Sequence, residues 1–227
     1  MTTPTALAIL CGIFWTVAYL SIIRRSIRDK SVGMPLVAVC LNISWEFIFS
    51  FIFPSSKPQL YIRNYVWFFL DSIILIQYLK FGKLNFRQHS SKTAFYAAFF
   101  SVLAVSFFNM LFIVYEFGRN NSATYIAFQI NLIMSMLFIY MLLSRGSVAG
   151  QSMYIAIAKM IGTACASVSV YLSQPSSILL AFLYVSIFRD RTRYARCCCC
   201  GTQRKHDRMG AAVHGASSEP VIVALEG

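Results

Sequence analysis

The chain has 227 residues, 58% of them hydrophobic and only 12% charged, with a mean hydropathy of +0.63. A soluble domain of this length has no use for so much apolar surface, so the composition points to the membrane class. The formal net charge of +12 does not mark a nucleic-acid binder, because most basic residues lie between apolar runs or in the C-terminal segment, where membrane proteins carry their cytoplasmic charges.

A bilayer is crossed by about 20 consecutive apolar residues. By that measure the sequence predicts an all-α membrane protein, a bundle of about seven transmembrane helices: Thr5–Ile23, Met34–Phe53, Tyr65–Leu79, Thr93–Tyr115, Ala123–Leu143, Ser152–Leu172 and Gln174–Phe188. The third and seventh are short. The first lacks a small-residue cleavage site and is expected to stay as a helix. No internal repeat stands out, which weakens a transporter reading. Residues 1–188 are therefore expected to form the bundle. Residues 189–227 are expected to be a basic, cysteine-containing, disordered tail.

Basic residues orient the spans. Arg24, Arg25, Arg28 and Lys30 follow the first, Lys80, Lys83, Arg87 and Lys92 the third, Arg145 the fifth, and seven more lie in the tail. Lys57, Arg63 and Arg119 are on the other side. The positive-inside rule then predicts a lumenal N-terminus and a cytosolic tail, in the endoplasmic reticulum membrane. Cys11, Cys40 and Cys165 fall inside spans, as buried small residues do. Cys197–Cys200 are consecutive and cannot easily wrap one tetrahedral metal ion, so they read as palmitoylation candidates beside the membrane.

Glu46 in the second span and Asp71 in the third then fall roughly 10 Å below the same interface, at 1.5 Å rise per residue. Asn109 and Asn131 fall at similar depth in the fourth and fifth spans, and Glu116 lies at the rim. An ionisable residue deep in a span costs about 2.5–3.5 kcal/mol on insertion scales, so such residues face a shared interior. Asn42 and Phe49 share the face of Glu46; Trp67, Ile74 and Tyr78 share that of Asp71. A lone asparagine is more often interhelical glue, and Lys159, nearer the cytosolic side, is expected to snorkel. Two carboxylates at one depth point instead to function.

Burial disfavours the charged form of an acid, and a second carboxylate nearby makes the proton harder still to lose. The expected product is a protonated acid in a dry pocket, able to protonate a weak base. Trp45, Phe47, Phe49, Trp67, Phe68 and Phe69 could stabilise a cationic intermediate with their ring faces, although an interfacial aromatic belt explains most of them. HExxH, P-loop, GxSxG and paired CxxC motifs are absent from the sequence, as is an aspartate-rich metal motif for diphosphate. The reading therefore implies neither a metal nor another cofactor, and a reaction begun by proton transfer.

The stretch VGMPLVAVCLNISWEFIFSFIFP, with VWFFLDSIILIQYLKFG, YEFG (Tyr115–Gly118) and QINLIMSMLFIYMLLSRGSVAGQSMYIAIAKMIGT, resembles the small seven-helix membrane terpene cyclases of fungal secondary metabolism. That group includes pyripyropene-type meroterpenoid and paspaline-type indole-diterpene cyclases. The resemblance spans about residues 10–173 and is most specific at Trp45–Glu46. It implies a small-molecule partner, a prenylated precursor with a terminal epoxide. Protonation of that epoxide starts a carbocation cascade that closes rings. It assigns Glu46 as general acid. Asn42, Trp45, Trp67, Asn109 and Asn131, placed near the acids by face, neighbourhood or depth, are expected around the substrate. The family's second acid lies in the last helix, where the match is Asp190 in IFRDRTRYARCCCC. Arginines surround Asp190 and a polar tail follows, which departs from the family's apolar continuation and suits a segment foreign to the family. The second catalytic acid is therefore Asp71 or Asp190. A seven-helix receptor is disfavoured by the missing acidic–Arg–aromatic triplet after span three and the missing NPxxY-like motif. A proton-coupled carrier is disfavoured by the lack of repeats.

Overall fold

The computed structural model describes residues 2–86 and 91–216, with the side chains of 84–86, 120, 121 and 200–216 outside the description. Among the described residues there are seven helices and no strand. They are α1 (Thr3–Asp29), α2 (Leu36–Phe47), α3 (Pro58–Phe86), α4 (Lys92–Phe117), α5 (Arg119–Arg145), α6 (Met153–Ser173) and α7 (Ile178–Ala216). A π-helical turn, Ile48–Ile52, continues α2. Five of the helices are long and apolar enough to cross a membrane, and α2 with its π turn is a shorter apolar helix.

The ends of the helices follow from local chemistry. Pro4 sits in the first turn of α1, where a missing N–H costs nothing. Ser91 and Ser152 accept hydrogen bonds from the amides of Ala94 (3.2 Å) and Ile155 (3.3 Å), capping α4 and α6. Between α4 and α5 a single residue, Gly118, turns the chain at φ 78°, a conformation that side chains resist.

Helix α2 lies inside the bundle, against α3, α4 and α5, while α1 packs along α6 and α7 against α5 and α6. The α1–α6 approach depends on Gly162: a Cβ there would come 2.8 Å from Trp15 Cδ1. Large apolar side chains point outward all round, among them Ile13, Leu20, Phe108, Phe112, Tyr140 and Val185. In water this would be untenable; against lipid tails it has no cost, because helices in a bilayer gain nothing by hiding apolar surface.

Two boundaries differ from expectation. Helix α3 begins at Pro58, seven residues before the expected Tyr65, because Lys57, Arg63 and Asn64 are tolerated at the interfacial end. Helix α7 does not stop at Phe188. It continues through the arginines, and Arg191, Tyr194 and Cys198 are buried in the bundle while Arg189, Arg193 and Arg196 are exposed. The segment after 188 reads as polar because its charges lie mostly on one helical face. Of the four consecutive cysteines, Cys198 is buried, Cys197 half-buried and Cys199 exposed, and the Cys200 side chain lies outside the described residues.

Candidate active site

Helix α2 brings Asn42 and Glu46, one turn apart, onto a single inward face. The π turn follows directly, closed by the Phe53 amide on the Ile48 carbonyl at 2.8 Å. It frees a backbone carbonyl at Phe49, which Asn64 of α3 satisfies at 3.3 Å. Such turns recur at functional sites because they re-aim side chains that a regular helix would send elsewhere.

Tyr19 of α1 completes the cluster. Its hydroxyl donates to Glu46 Oε1 (3.0 Å) and accepts from Asn42 Nδ2 (2.9 Å). Asp71 of α3 is close enough to Glu46, Asn42 and Tyr19 to interact with each. Both Asp71 oxygens and Glu46 Oε2 are buried with no side-chain or backbone N–H or O–H donor bonded to them among the described residues. Glu46 is 1% exposed and Asp71 0%. Among the described residues the ion pairs within 4 Å all involve Asp29, at the far end of α1, and none involves these two acids.

Above the cluster is a cavity of about 580 Å³. Glu46, Asn42 and Tyr19 line its floor, and Trp15, Trp45, Phe49, Trp67 and Phe128 its sides. Trp15, Tyr19 and Trp67 form a three-ring wall with centroids 5.8, 6.2 and 6.1 Å apart. The Trp67 indole N–H donates to Thr16 (3.2 Å) and that of Trp45 to the Ala123 carbonyl (3.2 Å), so both rings are held in place beside the space. Pro4, Thr5, Ser55, Lys57, Arg119 and Ser173 surround the mouth. From Thr5 to Tyr19 the cavity runs along about 21 Å of helix.

A second polar cluster lies behind Asn131 and Met134, which line the cavity. Asn131 donates to Thr163 Oγ1 (3.1 Å) and accepts from Arg191. Lys159 Nζ contacts Met134 Sδ at 2.8 Å and lies 3.6 Å from the Phe138 ring centroid. At 1% exposure Lys159 does not reach an interface. The snorkelling expected of it fails because its side chain points into the bundle, where aromatic faces surround the charge.

Asn42, Trp45, Glu46, Trp67 and Asn131 therefore converge on one cavity, with Asp71 directly beside it. Two expected residues do not. Asn109 is exposed on the outer face of α4, opposite its buried neighbour Met110. Depth along the helix could not give its rotation. Asp190 is half-buried and outside the cavity, because the inward position on that turn belongs to Arg191, one residue and about 100° further round. Phe47 and Phe69 face outward, as the aromatic-belt reading requires. Tyr19, Trp15, Arg63 and Arg191 were not singled out as site residues. The spacing of Trp15 and Tyr19, one turn apart in an apolar run, was the available signal.

A membrane bundle enclosing an aromatic cavity with a buried acid defines a class of enzyme that works on apolar substrates within the bilayer. The family of Pyr4-like transmembrane terpene cyclases matches residues 1–175, and the chain belongs to it. It is an integral-membrane terpene cyclase, acting on a small prenylated molecule. The match ends just before α7. The chain is similar to the Pyr4-family terpene cyclase mfmH of Annulohypoxylon moriforme, 33% identical over 80% of this chain and 77% of that protein. It is also similar to the asnovolin H synthase nvfL of Aspergillus novofumigatus, 29% identical over 80% and 79% of the two chains. The terpene cyclase pyr4 of Aspergillus fumigatus is 27% identical over 67% of this chain and 64% of its own length. No solved structure matches. With the family established, the receptor and carrier readings fall away.

Proposed function

We propose that the enzyme cyclises a meroterpenoid precursor by protonating its terminal epoxide, with Glu46 as the general acid. The observation that carries this is the asymmetry of the Glu46 carboxyl. Oε1 is occupied, accepting from Tyr19, while Oε2 is buried, unpartnered and on an acid that lines the cavity floor. A protonated Glu46 in this setting holds its proton on Oε2, the oxygen that Tyr19 leaves free. A buried carboxyl pair with no ion-pair partner cannot readily carry two charges, which favours that form.

The step is a proton transfer from Oε2 to the epoxide oxygen. The C–O bond at the more substituted carbon breaks, its electron pair stays with oxygen as a hydroxyl, and successive alkene π bonds close the rings. The final cation loses a proton, so the reaction is an isomerisation overall. The ring faces of Trp15, Trp45 and Trp67 stabilise the moving cation. Tyr19 stabilises the carboxylate left on Glu46 by its hydrogen bond, and Arg63 contributes at longer range, close enough to be felt electrostatically. Asp71, beside Glu46, is placed to return the proton for the next turnover, which makes Asp71 rather than Asp190 the second acid. The mouth faces the lumen and the α7 end the cytosol of the endoplasmic reticulum, by the charge distribution.

The test is Glu46→Gln in membranes expressing the full chain, supplied with an epoxyprenyl substrate. Glutamine keeps the Tyr19 contact but has no acidic proton. Cyclised product is expected to fall by about 10²–10⁴-fold, the range for a lost general acid, with protein level unchanged. Wild-type turnover by the variant would sink the assignment.

A further inference from the structure

The three basic residues on the lumenal side of the sequence, Lys57, Arg63 and Arg119, all line this one cavity. Lys57 and Arg119 are exposed at its mouth. Arg63 is half-buried just inside, its guanidinium 4.6 Å from the Trp67 ring centroid and hydrogen-bonded to Asn64 Oδ1 at 3.1 Å. Arg119 donates to the Pro54 carbonyl. Among the described residues no carboxylate lies within 4 Å of any of the three. Glu116 is nearby in sequence but exposed and not in the cavity wall, and Glu46 is felt by Arg63 only beyond ion-pair distance.

An entrance for a hydrocarbon needs no charge, and three cations without a carboxylate partner would repel nothing the chemistry must exclude. They make sense if one end of the substrate is acidic. Low-dielectric walls focus the field of such a ring toward its centre. The acid lies at the opposite end, about 21 Å along α1. We infer that the substrate enters prenyl end first and carries an acidic headgroup, a carboxylate or an ionised enol or phenol, held at the mouth by Lys57 and Arg119, with Arg63 just inside. This rests on the cyclase reading and adds the headgroup class to it: a neutral indole leaves the three cations unsatisfied.

Binding measured without chemistry separates the two proposals. The probe is a prenyl chain without the epoxide, carrying either a free acid or its methylated form, titrated onto the purified full chain in nanodiscs of zwitterionic lipid. The acid is expected to bind about tenfold tighter than the methylated form. The preference is expected to disappear in the double variant Lys57→Gln with Arg119→Gln, to survive in Lys57→Arg with Arg119→Lys, and to be unchanged in Glu46→Gln. Survival in the charge-conserving pair shows that charge, not loss of fold, is being read. Equal binding of the two probes, or an equal loss of both in the Gln pair, overturns the inference while leaving Glu46 catalysis to its own test. An anionic lipid added to the nanodisc is expected not to displace the acid probe. Displacement would assign the cations to membrane lipid instead and overturn it too.

Discussion

Two buried polar clusters of the bundle have opposite character. In one, Glu46 and Asp71 lie together with Tyr19 and Asn42 and no cation within 4 Å; in the other, Lys159 and Arg191 lie among Asn131, Thr163, Met134 and Phe138 with no carboxylate within 4 Å. Trp15 stands between them, its ring 5.8 Å from Tyr19, 5.4 Å from Lys159 and 5.2 Å from Arg191. A protein that only needed these charges buried would have paired them, since an unpaired buried charge is expensive and a pair with good geometry offsets much of that cost. Keeping them apart leaves the acids free to hold a proton. An ion pair would pin Glu46 as a carboxylate and end its use as an acid.

The comparison can be broken in graded ways. After Glu46→Gln, the largest effect is expected from Asp71→Asn. If Asp71 returns the proton to Glu46, multiple turnover falls about 10–100-fold, while a single-turnover burst of product persists. Loss of the burst along with the steady state would make Asp71 structural. Tyr19→Phe keeps the ring wall and removes one hydrogen bond to the developing carboxylate. A fall of about tenfold in kcat with KM nearly unchanged is expected, the pattern of a contact that matters most in the transition state. Beside the cationic cluster, Gly162→Val sets a side chain against Trp15 and is expected to lower thermal stability by forcing α1 from α6; the clash costs about 1–3 kcal/mol, as overpacking does. Smallest of all is Asp190→Asn. The residue lies outside the cavity, so product formation is expected within about twofold of wild type. A complete loss there would show that α7 turns its other face inward in the working enzyme.

Much of this site was legible before any tertiary contact was known. The pairing of Glu46 with Asp71 followed from depth alone, because two acids at one level of a bilayer have nowhere to go but toward each other. Asn42 and Trp67 followed from helical spacing relative to those acids. The failures share one cause. Asn109 lies on an exposed face of α4, and the inward position expected of Asp190 belongs to Arg191, a single residue step away. An apolar run in a membrane helix has no solvent-exposed side to give its rotation away, so hydropathy locates a residue along the axis and leaves its azimuth open. Helix α1 was underread for the same reason: nothing in its uniform apolarity marked Trp15 and Tyr19 as facing the acid.

By itself the sequence determined that the chain is a membrane bundle and that a carboxylate at position 46 needed a reason to be there. These follow from transfer free energies, which depend on composition and order alone. Only the tertiary structure decided which polar groups meet, that the acids and the buried cations fall in separate clusters, and that the cations at positions 57, 63 and 119 line one cavity. Those are matters of helix rotation and packing, which small residues such as Gly162 and the π turn after Glu46 settle through contacts between segments distant in the chain.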